Sequence, residues 1–76
     1  MFLSASAVTI PFESLESRKS FLKENQIVGI YNDSTIAFDP KTGEFWSILK
    51  THRYRISRSE VTRMGLTTAG CKKVIS

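Results

Sequence analysis

Residues 27–49 read IVGIYNDSTIAFDPKTGEFWSIL and give the clearest indication of the fold. It contains three short runs rich in β-branched and aromatic residues, each of which is too short for a helix. The runs are residues 27–31, 35–38 and 44–49. Residues 32–34 make a tight turn, and residues 39–43 make a second turn in which proline presets φ and glycine accepts a positive φ. The stretch therefore predicts three antiparallel strands in a meander, of which the first is buried.

The residues before the meander predict a short edge strand followed by a helix. An apolar run ends at Ile10, and Pro11 would stop a strand there while suiting the first turn of a helix. Apolar residues then recur at helical spacing, with acidic residues early and basic residues late, which complements the helix dipole. We therefore expect a helix from about residue 12 to 24 that ends near Asn25. Its apolar stripe would comprise Phe12, Leu15 and Leu22, with Phe21 to one side.

The residues after the meander predict one more strand and a second, short helix. Residues 52–56 alternate strictly, which is typical of a half-buried strand with Arg53 and Arg55 on one face. Residues 57–60 have the Ser-x-x-Glu spacing of a capping box, so a helix would begin there. Gly65 can end this helix.

Together these elements predict that residues 1–76 form a single small α+β domain. We expect an N-terminal helix packed on a three- to four-stranded antiparallel meander, with a short C-terminal helix. A chain of 76 residues buries only about 60% of the surface that its unfolded form exposes. A homodimer would add to this burial, so both a monomer and a dimer stay open.

The composition argues against an enzyme and against a metal site. Cys71 and His52 are the only residues of their kinds, which excludes an internal disulfide, a multi-thiolate zinc site and a His-rich metal site. These two residues do not form a recognisable nucleophile pair, and the glycines do not match a phosphate-binding loop. We expect no catalysis and no cofactor. Cys71 is interpreted as a small apolar residue, and the chain as a cytoplasmic protein without a membrane span.

Charge is divided unevenly along the chain. Four basic and six acidic residues precede Ser47, whereas seven basic residues and one acidic residue, Glu60, lie from Ser47 onward. A concentrated positive charge on a small protein attracts polyanions, most often nucleic acid. It suits an acidic protein surface equally well.

The basic half also resembles a helix-turn-helix over residues 59–75. In that motif a first helix would end at Gly65, and Thr67 would begin the recognition helix. Gly70 departs from the pattern, because glycine inside a helix costs roughly 1 kcal/mol relative to alanine. The alternative is a loop after the first helix and a last strand at Cys71–Ile75.

We therefore expect a small non-enzymatic nucleic-acid-binding protein, such as a regulator, that contacts phosphates through its basic half. The residues expected to contact phosphates are Arg53, Arg55, Arg58, Arg63, Lys72 and Lys73. Tyr31, Trp46 and Tyr54 would stack on bases if exposed, although a core position is the favoured interpretation of all three. The alternative function is a protein-binding inhibitor module, of the kind that a virus or mobile element encodes, which caps an acidic partner surface. DNA, RNA and protein all stay open as the partner.

Overall fold

The computed structural model describes residues 8–74 of the protein, which form five strands and two helices. In chain order these are β1 (Ile10–Pro11), α1 (Leu15–Glu24), β2 (Gln26–Tyr31), β3 (Ser34–Asp39), β4 (Glu44–Ile48), β5 (His52–Ile56) and α2 (Arg58–Arg63). The strands pair antiparallel in the order β1-β5-β4-β3-β2. The predicted α+β class is confirmed. The sheet has five strands, whereas three to four were predicted.

The additional strand is β1, which pairs with β5, the last strand of the meander. Ile10 lies opposite Arg53, and Pro11 lies opposite His52. The short edge strand predicted at Ile10 is confirmed, and Pro11, which was interpreted as suiting the first turn of the helix, is instead the last residue of this strand. A proline is tolerated in β1 because an edge strand does not need every N–H for pairing.

Helix α1 begins at Leu15, later than predicted, because the chain before it is still bound to the sheet. The N–H of Phe12 donates to the carbonyl of Thr51 over 2.9 Å. Ser14 is the N-cap, since its hydroxyl accepts the N–H of Ser17 at 3.1 Å. The predicted end of the helix is confirmed.

The face of α1 that meets the sheet differs from the predicted stripe. Leu15 is 71% exposed, while Phe21 and Leu22 pack against the sheet. Arg18 joins them, and its Nε donates to the carbonyl of Leu49 at 2.8 Å. These three contacting positions follow the i, i+3, i+4 spacing of one helix face. Hydrophobic periodicity misses this face because its first position is an arginine.

Both faces of the sheet are covered. The face that we call the α2 face packs against α2 and against the C-terminal segment, which we define as residues 66–74. The face that we call the α1 face packs against α1. The buried apolar side chains of the α2 face are Ile36, Phe38, Phe45, Val61 and Cys71. Those of the α1 face are Ala37, Trp46 and Ile48. Strands β3 and β4 are therefore the buried centre of the sheet.

Strand β2 lies at an edge of the sheet, so the prediction that residues 27–31 are buried is wrong. Ile27, Ile30 and Tyr31 are 50%, 72% and 42% exposed. A β-bulge shifts the pairing with β3 between Ile27 and Gly29. An apolar run predicts a strand but not its place in the sheet, because that place depends on the strands that pair with it.

Strand β5 and helix α2 follow the prediction. Arg53 and Arg55 both lie on the α1 face, since they pair with residues of that face on β4. The capping box is present: Ser57 Oγ accepts the N–H of Glu60 at 3.1 Å, and the Glu60 carboxylate accepts the N–H of Ser57 at 3.0 Å. Gly65 follows α2 with φ +85°, which favours glycine.

The C-terminal segment forms neither the recognition helix nor the last strand that was predicted. Its chain makes a turn in which the N–H of Cys71 donates to the carbonyl of Thr68 at 3.0 Å. The hydroxyl of Thr67 accepts a backbone N–H two residues further on, and such local bonds compete with helical ones. The helix-turn-helix prediction is therefore wrong over residues 66–74, and Ile75 lies outside the described residues.

Candidate functional site

Arg53 lies beneath α1 in a cluster of aromatic rings. Its guanidinium carbon is 5.3 Å from the ring centroid of Phe12, 4.2 Å from that of Phe21 and 4.9 Å from that of Trp46. Its Nε is buried and has no hydrogen-bond partner among residues 8–74. Arg53 therefore stabilises the packing of α1 on the sheet, and it is set apart from the other predicted phosphate contacts.

Arg55 lies on the same face of β5 but is open to solvent. Its side chain is 66% exposed, and its Nη1 forms an ion pair with the Glu44 carboxylate. An exposed ion pair contributes only about 0–1 kcal/mol. Arg55 can therefore exchange this partner for another anion at little cost in free energy.

Arg58 holds the C-terminal segment against the α2 face. Its Nη2 donates to the carbonyl of Cys71 at 2.7 Å, and its Nη1 donates to the carbonyl of Thr68 at 3.2 Å. The guanidinium carbon lies 5.1 Å from the ring centroid of Phe45. The residue remains exposed, and a guanidinium has further N–H donors besides these two. Arg58 can therefore contact an anion from the solvent side while it keeps its internal bonds.

A backbone hydrogen bond brings the C-terminal lysines to the turn between β3 and β4. The N–H of Val74 donates to the carbonyl of Pro40 over 2.7 Å. Lys72 and Lys73 precede Val74, and Lys41 follows Pro40 in the turn. All three lysines are exposed, so their ammonium groups are accessible to an anionic partner.

The stem of Lys73 packs on the same turn. Gly43 has φ +80°, and Lys73 Cδ lies 3.4 Å from the position that a Cβ would take on this glycine. The contact places the stem of Lys73 on the turn that also contains Lys41, although the two lysines are far apart in the chain. Sequence reasoning missed Lys41 because it reads as an ordinary turn residue, and no local pattern links it to the C-terminal segment.

Five exposed basic residues thus meet at one end of the sheet, which we call the basic end. They are Lys41, Arg55, Arg58, Lys72 and Lys73. A groove of about 430 Å³ lies there between β4, β5 and α2. Three acidic residues lie nearby, and each already accepts a hydrogen bond from the protein: Asp39, Glu44 and Glu60. Basic residues outnumber acidic ones, so the basic end has a net positive charge.

Arg63 is the remaining predicted phosphate contact. It is the exposed last residue of α2, and its Nε lies 3.4 Å from the carbonyl of Ser59 in the same helix. None of the contacts found in residues 8–74 joins Arg63 to the basic end. Four of the six predicted residues therefore come together, while Arg53 and Arg63 lie apart from them.

The three aromatic residues considered for base stacking differ in their exposure. Trp46 is 8% exposed and packs edge-on against Phe21 with 5.6 Å between ring centroids. Tyr54 is half-buried. Tyr31 is exposed but pairs with Ser34, the first residue of β3, and so lies at the opposite end of the sheet. The core interpretation is confirmed for Trp46.

Comparison of this chain with known proteins identifies no relative, so a function has to be assigned from the geometry of the site. No family model, curated protein or solved structure matches this chain. Among residues 8–74, no three His, Cys, Asp or Glu side chains lie close enough together to hold a metal ion. Neither helix in that range has the length and apolar character needed to cross a bilayer.

The Cys71 thiol is part of the core of the α2 face, as the sequence predicted. It is 3% exposed. Burial raises the pKa of the Cys71 thiol above its ordinary value, and the nearby Arg58 guanidinium offsets part of that rise. The thiol therefore stays neutral in the folded protein at pH values where it would begin to ionise in the unfolded chain.

A pH dependence of stability follows from this shift. The stabilising contribution is fully present below the pKa of the thiol in the unfolded chain and is lost as the pH rises through the higher folded-state pKa. As the pH rises between these two pKa values, we expect the free energy of unfolding to fall more steeply in the wild type than in Cys71→Ala. Denaturant unfolding at several pH values measures both slopes, and equal slopes would contradict the prediction.

Proposed function

We propose that the protein binds nucleic acid through the basic end and does not catalyse a reaction on it. The supporting observation is the hydrogen bond between Val74 and Pro40, which unites Lys41 with Lys72 and Lys73 beside the two exposed arginines. A cluster of lysines and arginines that neutralises phosphates releases counterions from nucleic acid, and this release drives binding.

The geometry of the basic end favours contacts to the phosphate backbone over base recognition. Base edges are read by a helix or a strand pair that enters a groove. Three of the five basic residues of the basic end lie on a β-turn or an irregular chain segment, and only one each lies on β5 and at the start of α2. Phosphate contacts position a protein on nucleic acid but carry no sequence information. We therefore expect affinity to depend strongly on salt and weakly on base sequence.

The test removes the three lysines that the turn and the C-terminal segment bring together. In the variant Lys41→Ala/Lys72→Ala/Lys73→Ala, we expect the slope of log K against log salt on duplex DNA to become shallower by about 2–3. Affinity at low salt should fall by at least about tenfold. Fluorescence anisotropy with a labelled duplex and a labelled single strand, at about 50 and 200 mM salt, measures both quantities.

A matched control distinguishes the effect of removing the lysines of the basic end from the effect of lowering the net charge of the protein. Lys19, Lys23 and Lys50 are exposed and lie outside the basic end. Their triple alanine variant changes the net charge by the same amount and should keep most of the affinity and the salt slope. The proposal fails if the two triple variants lose affinity equally, or if the wild type binds neither nucleic acid at low salt.

The second candidate function is binding to an acidic protein surface, as an inhibitor module would do. The groove at the basic end favours this candidate because it is lined by acidic as well as basic side chains, namely Arg55, Arg58, Glu44 and Glu60. Mixed charges of this kind fix the register of a protein partner. Binding of the wild type to poly-glutamate but to neither nucleic acid would favour the inhibitor. A cytoplasmic location is proposed for either function.

A further inference from the structure

Strand β2 offers the longer of the two sheet edges found in residues 8–74. It pairs with β3 on one side, and within that range no strand pairs with its other side. The opposite edge consists of β1, which has two residues and includes a proline, and of residues 54–56 of β5, which include the charged Arg55. The backbone N–H and C=O groups along an unpaired edge are a template for another strand. An additional strand would therefore join this sheet at β2.

Strand β2 lacks two of the usual protections against strand pairing, although it does contain a β-bulge. Edge strands are commonly blunted by charged residues or proline, and Gln26–Tyr31 contains neither. Ile27 and Ile30 are 50% and 72% exposed. Both lie on the α1 face, since they pair with Ala37 and Thr35 of β3. The strand thus presents two apolar side chains on one face, at an edge that can still accept hydrogen bonds.

The β-bulge makes β2 complementary to a second copy of itself. In a regular strand, residues three apart lie on opposite faces. The bulge between Ile27 and Gly29 returns Ile27 and Ile30 to the same face. If two copies of β2 pair antiparallel about a twofold axis near the strand centre, Ile27 of one copy lies opposite Ile30 of the other. Residues that lie opposite each other in an antiparallel pair must have their side chains on the same face, and the bulge meets this requirement.

The absence of charged side chains from β2 also favours a second copy of the chain as the partner that pairs with the β2 edge. The nearest charged residues in sequence are Glu24 and Asp33, which lie outside both ends of the strand. A copy of β2 therefore meets no charged side chain across the paired strands. A charged peptide would gain no ion pair along this edge.

We propose that the protein forms a homodimer by antiparallel pairing of β2 with β2 of a second copy, which joins the two sheets into one. The pairing supplies hydrogen-bond partners to the β2 edge and buries Ile27 and Ile30. It does not depend on the nucleic-acid proposal.

The test compares two double variants of the full chain by sedimentation velocity over a range of protein concentrations. We expect a dimer for the wild type and a monomer for Ile27→Lys/Ile30→Lys, because lysines on both sides of the axis repel each other. The control Leu15→Lys/Val74→Lys adds the same charge at two exposed apolar residues outside β2 and should remain a dimer. A monomeric wild type at several hundred micromolar would overturn the proposal, as would a control that dissociates as readily as the β2 variant.

Amide hydrogen exchange in the wild type tests the β2 pairing even if the β2 variant does not fold. Pairing protects the β2 amides that point away from β3, so their exchange should slow as protein concentration rises. Exchange in β2 that is fast and independent of concentration would overturn the proposal.

Discussion

Replacing Phe38 by alanine is expected to lower the free energy of unfolding by about 3–5 kcal/mol, the usual range for a buried aromatic side chain. Phe38 is 0% exposed, and its ring centroid lies 4.8 Å from that of Phe45 on the neighbouring strand. Because β3 is held between two strands, the sheet cannot collapse into the cavity. A folded chain of 76 residues has a total stability of roughly 4–11 kcal/mol, so the variant loses a large share of it.

Urea unfolding followed by circular dichroism measures the effect. Leu15→Ala is the matched control, because this truncation removes a side chain that is 71% exposed and should change stability by at most about 0.5 kcal/mol. A loss below about 1 kcal/mol for Phe38→Ala would show that the α2 face is not packed as described.

Replacing Arg53 by alanine is expected to lower the free energy of unfolding by about 2–3 kcal/mol, although surface arginines rarely matter for stability. The guanidinium lies among the rings of Phe12, Phe21 and Trp46, and a desolvated cation–π contact is worth up to about 2 kcal/mol. The alkyl stem adds apolar packing that alanine cannot replace. Since Arg53 lies outside the basic end, its loss should leave the salt slope of nucleic-acid binding unchanged.

Arg55→Ala provides the control on the same strand and the same face. Its side chain is 66% exposed and ion-paired with Glu44, so its removal should cost no more than about 1 kcal/mol. It should also make the salt slope shallower, by about 1. If Arg53→Ala weakened nucleic-acid binding more than Arg55→Ala while leaving stability unchanged, the role assigned to Arg53 would be wrong.

The elements with local causes were predictable from the sequence. The turn at residues 39–43 follows from a proline that sets φ and a glycine that accepts φ +80°. The start of α2 follows from Ser57 and Glu60, which satisfy each other's backbone N–H groups. The alternation in β5 correctly placed Arg53 and Arg55 on one face. Each of these features is decided by residues within a few positions of one another.

The candidate site was only partly predictable, because it depends on contacts between distant segments. Arg53 and Arg55 read alike in the sequence, but α1 covers one and leaves the other exposed. Lys41 joined the site only when the structure showed the bond from Val74 to Pro40. The exposure of β2 likewise depends on which strands pair with it.

Four features follow from the amino-acid sequence alone: the α+β class, the meander with its turns, the capped second helix and the positive charge of residues 47–76. Contacts between distant segments determine which arginine is packed among rings, which lysines lie at one end of the sheet and which strand is at its edge. Turns and caps are stabilised by neighbours in the chain, whereas burial and clustering of charge depend on segments that come together only after folding.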